Sequence, residues 1–214
     1  KTGEIKCGDK INIVVPTGNF GNILAAYYAK EMGLCVDKLI CASNQNNVLT
    51  DFIKTGVYDK NRKFETTISP SMDILISSNL ERLLFHMSGK NFRLVKEYMT
   101  SLSENGKYSV DKDIFDKISS VFRAGYCDDE ETKATIKSTF EKYNYTIDTH
   151  TAVAKNVYDK YTKETGDTAK TVIASTANPY KFNKAVLEAI SDGELPEGEF
   201  ELIDLLHQIS GLDV

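Results

Sequence analysis

The sequence predicts an α/β fold in which a largely parallel sheet is flanked by helices and carries a mostly helical insertion. Short apolar runs typical of buried strands recur at residues 11–15, 39–43 and 171–174. A polar or glycine-containing loop follows each run, and a segment with helical periodicity comes next. Because strands that alternate with helices favour parallel pairing with right-handed crossovers, we expect one parallel sheet.

The chain divides into three predicted parts. Residues 1–57 form a βαβα unit with a phosphate loop, 58–145 a mostly helical region, and 146–214 a βα return with a C-terminal helix. The polar residues 1–10 are expected to be a frayed end or a short helix end.

Two strand–helix pairs make up the first part. Gly33 is suited to end the first helix, and Asn46 or Asn47 is suited to begin the second. The cluster Asn44–Asn47 follows the second strand, so it could line a ligand site. A polar turn with a helix cap is the simpler interpretation. The predicted strands cover 11–15 and 39–43, and the predicted helices cover 23–32 and 48–54.

Residues 69–87 are predicted to form one long helix. Ser69 can cap this helix, and Pro70 suits its first turn. Asp73 is interpreted as an acid favoured by the helix dipole. Asn79 falls inside the apolar stripe, so it must either bind backbone or face a site. The stripe has a helical period and comprises residues 72, 75, 76, 80, 83, 84 and 87.

The following region, residues 90–145, is predicted to be mostly helical and to carry no chemistry. Asn105-Gly106 separates two apolar stripes. Asp128 with Glu131 resembles a capping box at the start of a further helix. The stripes comprise Val95, Tyr98, Met99 and Leu102, and then Ile114, Phe115, Ile118 and Phe122.

Polar residues again surround helix starts in the last part. Asp148 opens a helix with His150 on its apolar face in the first turn. A single histidine there is usually a hydrogen-bonded core residue, although it could line a site. The strand at 171–174 ends in Ser175-Thr176, and Asn178-Pro179 begins the next helix. A short apolar helix covers 202–209.

The stretch richest in chemical information is Pro16-Thr17-Gly18-Asn19-Phe20-Gly21-Asn22, which lies between the first strand and the first helix. The first amides of a helix lack internal partners and carry partial positive charge. Gly18 and Gly21 allow positive φ and a close approach by an anion. The stretch lacks the Gly-Lys-Ser/Thr ending of nucleoside-triphosphate loops and the dinucleotide spacing. Spacing alone is equally compatible with a phosphate cradle and with a tight structural turn.

Composition excludes several function classes. The net charge is −5, from 26 basic and 31 acidic residues, and no basic stripe suggests nucleic-acid binding. No apolar run is long enough to cross a membrane. The four cysteines and three histidines lack metal-ligand spacing, so we expect no metal site. Reduced thiols in a cytoplasmic protein are the expected state.

Four motifs in order resemble threonine synthases, pyridoxal-phosphate enzymes of the tryptophan-synthase-β fold type. Together they span roughly residues 11–190. The motifs are the glycine stretch Pro16–Asn22, Ser69–Ile74 with Ser78–Arg82, Asp148–Val153, and Ser175–Phe182.

The resemblance implies that pyridoxal 5'-phosphate is the cofactor. Thr176 matches the residue that partners the ring nitrogen, with Ser175 as a close rival. Asn178 stands where a histidine is expected, and Tyr180 where a small residue is expected, which affects the shape of the pocket. The residues implied to hold the cofactor phosphate are Gly18, Asn19, Phe20, Gly21 and Asn22.

For the whole enzyme, the resemblance implies conversion of O-phospho-L-homoserine and water to L-threonine and phosphate. No stretch matches the motif of the Schiff-base lysine, so the chain is expected to be a C-terminal portion whose partner is the N-terminal half. We expect it to contain no catalytic residue and to be inactive alone. The alternatives are another dehydratase or β-replacement enzyme of this fold type and a non-catalytic phosphate-ligand-binding domain.

Overall fold

The computed structural model describes residues 3–213 and confirms the predicted α/β class. A four-stranded parallel sheet is flanked by helices, and a two-stranded antiparallel sheet lies in the middle region. The strands are β1 Ile11–Pro16, β2 Val36–Ser43, β3 Val57–Asp59, β4 Lys107–Ser109, β5 Phe122–Tyr126 and β6 Thr171–Ile173. The helices are α1 Gly21–Glu31, α2 Val48–Thr55, α3 Leu80–Met87, α4 Phe92–Asn105, α5 Lys112–Val121, α6 Asp129–Tyr143, α7 Thr149–Thr165, α8 Asn183–Ile190 and α9 Glu199–Ser210.

The parallel sheet has the order β5-β2-β1-β6. In the register, Val14 of β1 lies opposite Ile40 of β2 on one side and Ile173 of β6 on the other. Because all four strands run the same way, their carboxyl ends meet at one edge. The glycine stretch that follows β1 and the Ser175-Thr176 pair that follows β6 are therefore neighbours at this edge.

The two faces of the sheet pack against different helices. Val15 and Leu39 belong to the larger apolar cluster, which also contains residues of α1 to α5. Val14 and Ile40 point to the opposite face and pack with Val153 of α7. This alternation follows from the two-residue period of a strand, and it buries the sheet between two helical layers.

The prediction of one long helix over 69–87 is wrong. Only a short 3-10 segment, Pro70–Met72, and α3 are helical there. Asp73 does not act as a dipole-favoured acid, because its carboxylate accepts hydrogen bonds from the Thr67 amide at 2.9 Å and the Asn44 side chain at 2.7 Å. The hydroxyl of Ser77 donates to the Gly18 carbonyl at 2.9 Å. Contacts to distant loops thus replace helical bonding between residues 73 and 79.

The predicted capping position of α2 is confirmed, but its side-chain cap bond is not formed. Asn47 occupies the capping position, but its side chain accepts from Arg62 at 2.8 Å and makes no cap bond. Asn44 and Asn46 instead both donate to Asp73. Asn46 also donates to the Glu65 carbonyl at 2.8 Å, so the asparagine cluster fastens the chain on both sides of the 3-10 segment to the end of β2.

The third parallel strand, β5, was not predicted. Its residues lie in the region predicted to be mostly helical, with Phe122 in an apolar stripe, but they pair with β2 at the edge of the sheet. The capping box at Asp128 and Glu131 is confirmed, and Gly106 ends α4 with a positive φ of 73°. Bends and turns, without a helix, fill residues 3–10, and residues 1–2 of that predicted end lie outside the described part.

The division into three parts stays a prediction. Within residues 3–213, no helix combines the length and the apolar character needed to cross a membrane.

Candidate functional site

A cavity of about 300 Å³ opens at the carboxyl edge of the parallel sheet. The glycine stretch forms one wall, and Thr176 lies in the same lining. The glycine stretch and Thr176, which were predicted to bind the phosphate and the ring of one cofactor, therefore lie in the same cavity. The lining comprises Val15, Pro16, Thr17, Gly18, Asn19, Phe20, Gly21, Asn22, Ile23, Ser71, Met72, His150, Thr176, Ala177 and Lys181.

The backbone of the glycine stretch differs from the predicted one. Neither Gly18 nor Gly21 has a positive φ, and the left-handed residue is Phe20, with a φ of 63°. Gly18 is needed for another reason: a Cβ atom built there would lie 2.7 Å from the Ser71 carbonyl oxygen. Its lack of a side chain lets the 3-10 segment cross the turn closely.

Phe20 holds its unfavourable conformation through burial. A left-handed conformation costs a non-glycine residue roughly 1–2 kcal/mol. The side chain is only 1% exposed, and its ring packs against Phe122 of β5 with 5.8 Å between centroids. Burying a phenylalanine side chain contributes about 1.5–3 kcal/mol, enough to offset this strain. The turn is therefore held in one geometry from the core.

The start of α1 is suited to an anion. Within the described chain, no side chain caps this helix, and its first turn contains no acidic residue. The amides of Gly21, Asn22 and Ile23 precede the first turn of internal bonding, so they have no partner within the helix, and all three residues line the cavity. The partial positive charge of the helix end adds to this preference.

Asn79 has a structural role. Its side-chain amide donates to the Asn19 carbonyl at 2.7 Å, and its backbone amide donates to the same oxygen at 3.2 Å. Of the two roles open from the sequence, backbone binding is the one observed. Asn79 fixes the turn from outside the cavity, because it is absent from the lining.

The two adjacent hydroxyl residues after β6 have different surroundings. Thr176 lines the cavity beside the glycine stretch. Ser175 is absent from this lining: it lines a neighbouring cavity, which Thr176 also borders, and its hydroxyl oxygen lies 3.1 Å from that of Thr151. This difference favours Thr176 over Ser175 as the group that meets a ligand in the first cavity.

His150 lies in the cavity wall and is 2% exposed. Its Nε2 atom accepts from the Ser71 amide at 3.2 Å, which assigns the ring proton to Nδ1. Nδ1 lies 3.3 Å from a carboxylate oxygen of Asp148, the N-cap of α7. This chain of contacts links α7 to the segment that crosses Gly18, so His150 both lines the site and positions its wall.

Asp148 is a buried carboxylate whose charge is held by donors. Burial alone would raise its pKa, but hydrogen bonds from His150 and Thr151 outweigh burial and hold the pKa below its ordinary value of 3.8. The donors include the backbone amides of both residues, at 2.8 and 3.3 Å. The ionised form therefore stabilises the folded state.

This assignment predicts a pH-dependent loss of stability. The pKa of Asp148 is lower in the folded than in the unfolded chain, so its contribution is complete above about pH 4 and is lost as pH falls through the folded pKa. We expect Asp148→Asn to lower the free energy of unfolding by about 1.5–3 kcal/mol at neutral pH. The variant should lose less stability on acidification than the wild type. Urea unfolding between about pH 3 and 7 measures both effects.

The matched control is Asp204→Asn on the exposed face of α9. Its unfolding free energy should stay within about 0.5 kcal/mol of the wild type. Equal acid sensitivity of the wild type and Asp148→Asn would contradict the assignment.

Three lining residues, Ser71, Met72 and Lys181, were not predicted from the sequence. Ser71 and Met72 were placed in a predicted helix with no contact assigned to the turn. Lys181 had an available signal, because a lone cation follows Asn178-Pro179 a few residues after the end of a parallel strand.

Comparison with known families gives one independent finding. A family model described as "Threonine synthase, C-terminal" matches residues 151–213. This match begins within α7 and continues through α9.

Among similar proteins, the human protein named "Threonine synthase-like 1" is 44% identical over 211 residues, which cover 98% of this chain and 28% of the human one. Threonine synthase of Saccharomyces cerevisiae is 40% identical over 200 residues, which cover 87% of this chain and 39% of the yeast one. The chain thus spans less than half the length of these relatives.

Two solved threonine synthase structures are also similar to this chain over less than half of their length. The crystal structure of a PLP-bound threonine synthase from Brucella melitensis superposes with a TM-score of 0.80 at 39% identity, covering 91% of this chain and 41% of that one. The yeast threonine synthase structure has a TM-score of 0.80 at 38% identity, covering 91% of this chain and 43% of the yeast chain.

Proposed function

Because this chain matches the C-terminal portion of threonine synthases in sequence and in fold, we propose that it forms the phosphate-binding part of a pyridoxal 5'-phosphate site in an enzyme that makes L-threonine. The observation that carries the proposal is the single cavity lined by both the glycine stretch and Thr176.

The lining fits the phosphate of this cofactor. The open amides at the start of α1 offer donors, and the close contact of Gly18 with the 3-10 segment shapes the turn around them. Backbone donors and helix polarity together favour a phosphate dianion. In this proposal, the phosphate is held by the amides of Gly18, Asn19, Phe20, Gly21 and Asn22.

Thr176 is proposed to hold the ring nitrogen of the cofactor. Its hydroxyl can donate to an unprotonated nitrogen, whereas a carboxylate at this position would favour the protonated ring. Bound pyridoxal phosphate supplies an electron sink for the carbanions that develop on an amino-acid substrate. Thr176 orients the ring and sets its charge, and the turn anchors the opposite end.

The proposed reaction of the whole enzyme is conversion of O-phospho-L-homoserine and water to L-threonine and phosphate. We place the lysine that binds the cofactor covalently, together with the general base, in the part of the enzyme that this chain does not match. The chain covers 39% of the length of the yeast relative, which leaves room for those groups elsewhere.

Binding of pyridoxine 5'-phosphate by two variants tests the assignment of Thr176. This analogue lacks the aldehyde, so it reports the phosphate and ring contacts without reaction at lysines. We expect Thr176→Val to weaken its binding about fivefold, since one hydrogen bond contributes about 1 kcal/mol. Ser175→Ala, the matched control, should leave the affinity unchanged. Isothermal titration calorimetry or NMR titration measures both.

Binding of inorganic phosphate distinguishes the contribution of the phosphate contacts from that of the ring contact. It should bind the wild type and Thr176→Val equally, because it has no ring. Equal binding of pyridoxine 5'-phosphate by the wild type and Thr176→Val, or equal weakening by Ser175→Ala, would contradict the assignment.

A further inference from the structure

Lys181 is a lining residue of the candidate cavity. It belongs to the 3-10 segment Pro179–Phe182, which follows Thr176 closely along the chain. The segment is fixed at its start, because the Asn178 side chain accepts from the Tyr180 amide at 3.0 Å and the Lys181 amide donates to the Asn178 carbonyl at 3.0 Å. The backbone of Lys181 therefore has a defined position at the cavity.

Neighbouring aromatic contacts direct this segment toward the cavity wall. The ring of Phe182 lies 4.7 Å from that of His150, measured between centroids. The Lys181 ammonium lies 5.5 Å from the centroid of the Phe182 ring. His150 thus packs against Phe182, the ring that the Lys181 side chain contacts.

The charge of the lining is unusual for this chain. None of the fifteen described lining residues is Asp or Glu, and Lys181 is the cation among them. The chain as a whole has a net charge of −5. Each of the four other cavities described has at least one acidic residue in its lining. An anion is therefore favoured in this cavity more than in the others.

Lys181 is also available to a ligand. Within residues 3–213, no carboxylate lies within 4.0 Å of its ammonium, while eight other lysines have a carboxylate within that distance. His150 cannot donate from Nε2, because that atom accepts from the Ser71 amide. Lys181 is thus the side chain in the lining that can bring a full positive charge to a ligand.

We propose that Lys181 recognises a phosphate monoester in this cavity, as a second anion contact beside the amides of the glycine turn. The inference rests on the proposed function and extends it to a side chain. The monoester is either that of the cofactor or that of the substrate, since both carry the same dianion. An ammonium donates to such a group as a mobile point charge.

The test compares Lys181→Gln with Lys184→Gln, an exposed lysine of α8 that lies outside the lining. The probes are pyridoxine 5'-phosphate, and O-phospho-L-homoserine added to protein saturated with that analogue. Pyridoxine and L-homoserine serve as phosphate-free counterparts. We expect Lys181→Gln to weaken binding of at least one phosphorylated probe about five- to tenfold. Binding of the phosphate-free probes should not change, and Lys181→Arg should retain most of the affinity.

The probe that weakens identifies the source of the phosphate. Weakening of pyridoxine 5'-phosphate assigns Lys181 to the cofactor, and weakening of O-phospho-L-homoserine alone assigns it to the substrate. Wild-type affinity of Lys181→Gln for both probes would overturn the inference while leaving the phosphate turn intact. Failure of the wild type to bind pyridoxine 5'-phosphate would overturn the proposed function and this inference together.

Discussion

Gly18→Ala is expected to weaken binding of pyridoxine 5'-phosphate by about 10- to 100-fold, because displacement of the turn would remove an amide hydrogen bond to the charged phosphate, which contributes about 1.5–3 kcal/mol. The added Cβ would lie 2.7 Å from the Ser71 carbonyl oxygen and 3.2 Å from the Met72 Cα atom. Both obstacles are backbone, so either the turn or the 3-10 segment must move. We also expect a loss of about 1–3 kcal/mol in unfolding free energy, as for other overpacked sites.

Gly21→Ala provides the matched control in the same turn. A Cβ atom there would lie 3.7 Å from the Asn79 side-chain amide, an ordinary contact, and Gly21 has no positive φ. It is the first residue of α1, where alanine is tolerated. We expect its affinity to stay near that of the wild type. Calorimetric titration and urea unfolding of both variants make the measurement, and unchanged binding by Gly18→Ala would show that the turn does not hold the phosphate.

This chain alone is expected to form no L-threonine from O-phospho-L-homoserine, even with excess pyridoxal phosphate. The proposed account assigns the cofactor lysine and the general base to the unmatched part of the enzyme. Nucleophilic and acid–base groups together account for many orders of magnitude in rate, so loss of both should remove detectable turnover. Amino-acid analysis of the reaction mixture, with threonine synthase of Saccharomyces cerevisiae as the positive control, measures this.

Threonine formation by the wild-type chain above the cofactor-only background would contradict this expectation, because it would place the chemistry in this chain and not in another segment.

The elements predicted correctly are those determined by local sequence. The apolar runs of β1 and β2 and the capping box at Asp128 require only near neighbours to form. The meeting of the glycine stretch with Thr176 follows from parallel topology, since carboxyl ends share one edge. These features were therefore accessible without coordinates.

The incorrect predictions involve residues whose partners are distant in sequence. The apolar stripe from Met72 to Met87 has a helical period, but Asp73 and Ser77 bind loops elsewhere in the chain. Ile76, which the stripe placed inward, is 52% exposed. β5 was missed because Phe122 continues the apolar period of α5, and the sheet edge that recruits it is formed by β2.

The glycine turn shows the same limit within the site. The sequence indicated that glycines were needed there. It did not indicate whether each glycine was needed for a positive φ or for a close contact. Gly18 cannot carry a side chain because the Ser71 carbonyl, 53 residues away in the chain, lies too close. The positive φ is found at Phe20 instead. Only the packing of Phe20 against β5 explains why a large residue tolerates that conformation.

Amide NMR of the chain titrated with pyridoxine 5'-phosphate measures directly whether the glycine turn binds the phosphate. Even millimolar binding, about −4 kcal/mol, is measurable in this way. We predict saturable shifts of the Gly18, Gly21 and Asn22 amides together with Thr176, and no shifts at the turn with pyridoxine alone. Binding whose largest shifts lie away from the turn, or no binding at about 10 mM ligand, would contradict the account.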